Sequence, residues 1–336
     1  MMSTNTARQV LKDLYEIDAE ITPLYGELDN NFLVVTGGGE RRILKIMHEG
    51  CDPQRVDLQY RAMAHLADTV SDLNLPGVIP TSAGQPYVDF VVDGVQRLVW
   101  LLTYCRGTLL EDVATHTDHL IRSFGRTMAS LDLGFKSFSH PAMKQLNKWE
   151  LTRASAARPF TQYVGGDEAK QLDAVFKRFE DHIQARLANL PYSVIHNDAN
   201  YGNVLVNVTE SGDEYADGII DFGDMSYQPI ICEVAIALAY LAVGKDDPLA
   251  ACCRFLESYT ELIQLNDDEI AVLYDLMLTR LAVSIAIASE RQQADPDDQL
   301  GQMDKQPVFD AILRLTSISR QEATDVFGQA RSGLAN

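Results

Sequence analysis

The chain declares itself at His196-Asn197-Asp198-Ala199-Asn200-Tyr201-Gly202-Asn203 and, further on, at Asp221-Phe222-Gly223. Val194-Ile195 leads into the first segment and Gly218-Ile219-Ile220 into the second, so each polar cluster hangs from a short apolar strand. Val204 to Val208 leaves the first segment, and Glu210-Ser211-Gly212-Asp213-Glu214 supplies a polar turn back towards the second. This pattern predicts a β-hairpin with Asn203 at its start and Asp221 at its end. Asp198, Asn203 and Asp221 make poor core residues, because an isolated buried carboxylate is costly without a cation or a partner. They read as a site.

Working outward, the first hundred residues follow short periods. Phe32-Leu33-Val34-Val35 and Arg42-Ile43-Leu44-Lys45-Ile46-Met47 are strand-like and are joined by Thr36-Gly37-Gly38-Gly39-Glu40, a hairpin turn. Pro53 to Ala67 has helical spacing, with Val56, Tyr60, Met63 and Leu66 along one side. Tyr87 to Val92 and Val95 to Tyr104 flank Asp93-Gly94, a favoured two-residue turn. After Arg106-Gly107 the pattern changes. His119 to Leu133, Met143 to Ala157, Glu168 to Leu190, Ile230 to Val243, Leu249 to Ile263 and Asp268 to Arg291 are all expected to be helices. The fold class expected is α+β, with a small antiparallel-sheet lobe plus one helix (residues 1–104) and a larger, mainly helical lobe with a β-hairpin insert (residues 105–336), hinged at about 103–107.

Composition excludes several function classes. The 336 residues are 46% hydrophobic and 23% charged, ordinary globular material. Forty-eight acids against 28 bases give a formal charge of −20, which repels a phosphate backbone, so nucleic acid is not an expected partner. The cysteines number five, an odd count without a CxxC pair, and read as core residues in a reducing compartment. No run approaches the ~20 uninterrupted apolar residues of a membrane span, and residues 1–10 lack a signal-peptide stretch. The expectation is a cytoplasmic protein without membrane contact.

The two segments fit H-x-D-x-x-x-x-N and D-F-G, which together serve phosphoryl transfer. That reaction needs a divalent cation against phosphate charge and a positioned carboxylate to orient the attacking hydroxyl. Mg2+ takes hard oxygen ligands and keeps several waters, so the Asn203 amide and the Asp221 carboxylate suffice from the protein, while Asp198 faces the acceptor oxygen. Lys45, between Leu44 and Ile46 in an apolar strand, must either reach solvent or meet an anion. Beside the downstream pattern, nucleotide phosphate is the expected anion.

These residues resemble the aminoglycoside phosphotransferase and choline kinase family, small-molecule relatives of the protein kinases, from about Tyr25 to Arg291. Val194-Ile195-His196-Asn197-Asp198, Asn203-Val204-Leu205-Val206, Ile220-Asp221-Phe222-Gly223-Asp224-Met225-Ser226-Tyr227 and Arg97 to Tyr104 look closest to the hydroxylysine kinase-like branch. The resemblance implies a bilobal protein-kinase-like fold using ATP or GTP with Mg2+. It implies backbone groups of Thr103 and Cys105 on the purine, Leu102 guarding the pocket behind, His196 bracing the catalytic loop, and Glu233 supporting that loop. A glycine-rich phosphate loop is absent, and Gly26 to Phe32, with Asn31, stands in its place. The helix after Lys45 offers no glutamate, so Gln59 or Asp57 must serve as its partner.

The acceptor is expected to be a small alcohol, because Asp198 has a proton to handle only for such a nucleophile. Asp224 is a candidate contact for an amine. Arg280, in an otherwise apolar helix, either receives an amino-acid carboxylate or forms a structural ion pair. A hydroxylated amino acid such as hydroxylysine fits the branch. The alternatives are an aminoglycoside or macrolide phosphotransferase and a non-catalytic nucleotide-binding regulator. Oligomeric state is left open.

Overall fold

The computed structural model describes residues 2–333. The chain divides between Arg106 and Gly107 into two compact units.

The first unit is built on a six-stranded antiparallel sheet. Its strands are β1 (Ala19–Leu24), β2 (Asn30–Thr36), β3 (Arg41–Ile46), β4 (Val78–Ile79), β5 (Val88–Val92) and β6 (Val95–Thr103). Their order is β1-β2-β3-β6-β4, with β5 also paired to β6. The glycine run is the β2–β3 turn: Gly39 sits at φ +81° and donates to the Thr36 carbonyl over 2.8 Å. Asp93 and Gly94 both take positive φ between β5 and β6, as a tight hairpin of matching twist requires.

Two helices belong to this unit, where the sequence pattern predicts one. α1 (Thr4–Tyr15) starts where Ser3 accepts from the Thr6 amide, and α2 (Pro53–Thr69) starts where Asp52 caps Gln54 and Pro53 opens the first turn. α1 buries Ala7, Val10, Leu11 and Tyr15 with Phe32, Val34, Leu44 and Ile46 of the sheet. Since side chains alternate along a strand, Lys45 belongs to the opposite face from Leu44 and Ile46.

The second unit is mainly helical, with α3 (Asp118–Phe135), α4 (Gly166–Arg178), α5 (Gln184–Leu187), α6 (Ile231–Ala242), α7 (Pro248–Tyr259), α8 (Asp267–Ala294), α9 (Gln306–Thr316) and α10 (Arg320–Arg331). α8 opens on a reciprocal capping box between Asn266 and Glu269. It is long and apolar enough to cross a membrane, yet 94% of its most apolar window is buried inside the fold. Gly125 lets α3 approach α7: a Cβ there would lie 2.4 Å from the Phe255 carbonyl oxygen and the Ser258 hydroxyl.

Two expected helices take other forms. Residues 141–163 wind as 3-10 turns, Pro141–Lys144 and Leu151–Tyr163, because Pro141 and Pro159 remove amide donors and Asn147 to Glu150 are held in a polar turn. The helix expected to Leu190 is interrupted by a π turn at Phe179–Ile183. The remaining strands are β7 (Thr108–Leu109), β8 (Tyr192–Ile195), β9 (Val204–Val208), β10 (Glu214–Ile219) and β11 (Ser226–Pro229). They form a three-stranded sheet β10-β9-β7 and an antiparallel pair β11-β8.

Candidate active site

The β9–β10 register explains why the long gap between Asn203 and Asp221 does not separate them. Val204 pairs with Ile219, and the Ile220 amide donates to the Asn203 carbonyl over 2.9 Å. Asn203, one residue before β9, therefore stands beside the residue that precedes Asp221.

His196 ties the loop between β8 and β9 to the end of β10. Its Nδ1 accepts from the Asp198 amide at 3.3 Å, which leaves Nε2 protonated to donate to the Ile220 carbonyl at 3.0 Å. The ring is fully buried, edge-on to Phe222 at 4.9 Å, and burial pushes its pKa down, so it stays a neutral strut rather than a base.

Asn197 is a fixing point that sequence reasoning missed. It adopts φ +69°, donates from Nδ2 to the Asp224 carbonyl at 3.0 Å, and accepts from Gln228 Nε2 at 2.7 Å. Its amide donates to Glu233 Oε2 at 3.0 Å. Glu233 is wholly buried, and desolvation raises its pKa to about 7 against the lowering effect of the Asn197 and His196 amides. Asp132, also buried and displaced upwards by desolvation and by the charge of Glu233, accepts from the Tyr259 hydroxyl at 2.7 Å.

Both oxygens of Asp198 are engaged. Oδ1 accepts from Arg280 Nη2 at 2.8 Å, and Oδ2 accepts from Asn203 Nδ2 at 2.7 Å and Asn200 Nδ2 at 2.9 Å. Asn203 Nδ2 also reaches the Asp198 carbonyl at 2.9 Å. Because those partners can only accept, the Asn203 amide has a single sensible orientation, and its Oδ1 is directed elsewhere. Asp221 is exposed at φ +63°, where its Oδ1 accepts from the Gly223 amide at 3.3 Å. Among the described residues no cluster of three or more His, Cys, Asp or Glu side chains is arranged for a metal. One amide oxygen on Asn203 and one exposed carboxylate on Asp221, the residue after the Ile220 amide that donates to the Asn203 carbonyl, nevertheless fit the donor set of a hard divalent ion that takes its other oxygens from phosphate and water. Asp224 is half-buried and accepts from Asn147 Nδ2 at both Oδ1 (2.8 Å) and its carbonyl (3.0 Å).

In the first unit, Lys45 is buried in β3, paired across the hairpin with Asn31 and on its other side with Trp100. Asn31 Nδ2 donates to the Tyr25 carbonyl at 3.0 Å, closing the turn that stands where a glycine-rich loop would be. Gln59 is buried on α2. Asp57 accepts from the Tyr87 hydroxyl at 3.1 Å and lies 3.6 Å from Arg61. Thr103 spends its amide on the Gly77 carbonyl (2.8 Å), so any purine contact there falls to its own carbonyl. Leu102 precedes it, nearly buried, and Cys105 lies just beyond the end of β6.

The chain is 27% identical over 311 residues to a hydroxylysine kinase of Danio rerio, covering 89% of this chain and 86% of that one. Its fold matches a microcompartment-associated aminopropanol kinase with TM-score 0.69 at 19% identity, covering 98% of both chains. It also matches the amicoumacin kinase hAmiN, solved with AMP-PNP, Ca2+ and Ami, with TM-score 0.66 at 16% identity over 96% of this chain and 94% of that one. The model of the Phosphotransferase enzyme family (APH) covers residues 20–260. The chain belongs to that family: it is a phosphotransferase with an alcohol group as acceptor, on a protein-kinase-like α+β fold.

Proposed function

We propose that this chain transfers the γ-phosphoryl group of ATP or GTP, with Mg2+, to the hydroxyl of a small amine-bearing alcohol, hydroxylysine being the first candidate. The observation that carries the reading is the Asp198 carboxylate held by Asn203, whose own carbonyl accepts from the amide of Ile220, the residue before Asp221. The hydroxylysine kinase relative supports an amino-acid acceptor.

In this reading Asp198 accepts a hydrogen bond from the acceptor hydroxyl and aims its oxygen at the γ-phosphorus. The new O–P bond forms as the bridging P–O bond to the β-phosphate breaks; the hydroxyl proton leaves through Asp198, and the diphosphate departs. A divalent cation, when bound, neutralises charge on the phosphates. Asn203 Oδ1 and Asp221 would hold it. Lys45 and Asn31 engage the phosphates, Gln59 or Asp57 partners Lys45, and Leu102, the Thr103 carbonyl and the Cys105 amide take the purine. Asp224 offers its carboxylate to the acceptor's amine.

The test incubates the protein with ATP or GTP, Mg2+ and one of hydroxylysine, short amino alcohols or aminoglycosides, and reads the acceptor's mass. A phosphorylated hydroxylysine or amino alcohol is the expected product. Phosphorylation of aminoglycosides alone, or nucleotide binding without transfer to any alcohol, contradicts the reading.

A further inference from the structure

Arg280 sits in the middle of α8 with 1% of its surface exposed. Its guanidinium carbon lies 5.0 Å from the ring centroid of Trp149 and 5.5 Å from that of Tyr240. The Tyr240 hydroxyl is in turn bonded to Ser284 at 3.0 Å, and the Trp149 amide donates to Asn147 Oδ1 at 2.9 Å. Nη2 reaches Asp198 at 2.8 Å, Nη1 makes a long approach to the Trp149 carbonyl at 3.5 Å, and Nε has no hydrogen-bond partner among the described residues.

This is an expensive way to stabilise a fold. A buried guanidinium loses its hydration, and such a pair often contributes no more than apolar residues of the same volume would. The cost has a purpose if it fixes Asp198, whose side chain stands on a loop and is 20% exposed. Arg280 grips Oδ1 from a rigid helix while Asn200 and Asn203 grip Oδ2, so the carboxylate plane cannot turn about its own bonds. A substrate carboxylate, by contrast, finds almost no surface of Arg280 to approach.

We infer that Arg280 is a positioning residue for Asp198, packed against the rings of Trp149 and Tyr240, and not the receptor of an acceptor carboxylate. This rests on the proposed alcohol-kinase reading and sharpens it, because acceptor choice between amino acids and plain amino alcohols then lies with other residues.

The experiment compares wild type, Arg280→Met and Arg280→Lys on hydroxylysine and on aminopropanol, which lacks a carboxylate. Misplacing a reacting group by about an ångström costs on the order of 100-fold. The expected result is a kcat loss of about that size in Arg280→Met on both acceptors, with nucleotide and acceptor KM within about 3-fold of wild type. Arg280→Lys, with the charge but not the planar fork, is expected to recover part of the loss. A KM rise confined to hydroxylysine, with kcat unchanged, overturns the inference. A crystal structure of Arg280→Lys, or of Arg280→Met if it folds, reads positioning without turnover. Asp198 turned away from Asn203 is expected, and an unmoved carboxylate overturns the inference. Should wild type phosphorylate neither acceptor while Asp198 still turns in the variant, the kinase substrate falls and the positioning role stands.

Discussion

Asn203 Nδ2 lies 2.7 Å from Asp198 Oδ2, and this bond joins the two side chains to which the proposed reaction gives the cation and the alcohol. The donor end of the amide holds the Asp198 carboxylate, which leaves its acceptor end for the cation that the proposed reaction requires. One side chain serves both groups because an amide carries a donor and an acceptor at opposite ends.

Asn203→Asp therefore reverses the contact. It places a second carboxylate against Asp198, where like charges at hydrogen-bond distance repel. Expected is a fall in kcat of at least ~100-fold, as for loss of a preorganised hydrogen bond in an active site. Steady-state kinetics at saturating Mg2+ checks it, and activity within a few-fold of wild type contradicts it.

Glu233 gives stability a pH dependence of definite sign. In the unfolded chain its carboxyl loses a proton near its ordinary value, whereas in the fold burial holds the proton to about 7. Between those values the native state binds more protons, so this contribution is complete below the unfolded value and is lost as pH rises through about 7, by up to ~1.4 kcal/mol per pH unit. Thermal melts between pH 5 and 8 should show a shallower decline for Glu233→Gln than for wild type. Identical slopes contradict the assignment.

Gly125→Ala would drive a methyl into the Phe255 carbonyl and the Ser258 hydroxyl, both 2.4 Å from its built position. Helix α3 must then retreat from α7, at a cost of ~1–3 kcal/mol. A denaturant titration showing no loss of stability would mean the helices are not so close.

Much of this organisation is legible in the sequence because it is local. The apolar arms around Asn203 and Asp221 define their hairpin, and the runs in α3, α6, α7 and α8 are long enough for helical period to show. What escapes is set by distant partners. Arg280 meets an aspartate 82 residues away, so sequence spacing leaves carboxylate receptor and ion pair equally open. Asn197 and Asn147 look like ordinary loop polar residues until the fold brings Asp224 to both of them. α1 carried a signal that periodicity overlooked, a Ser3 cap followed by Ala7, Val10 and Leu11 on one face. The 3-10 winding of residues 141–163 had its warning in Pro141 and Pro159.

The most direct measurement is the turnover of Asp198→Ala beside its nucleotide affinity. Removing the group that aims the hydroxyl, while leaving the Asn203 amide oxygen and Asp221 in place, should lower kcat by several orders of magnitude, on the order of 10³-fold or more, and leave nucleotide dissociation within about 3-fold of wild type by calorimetry. Turnover reduced only a few-fold would show that another residue handles the alcohol.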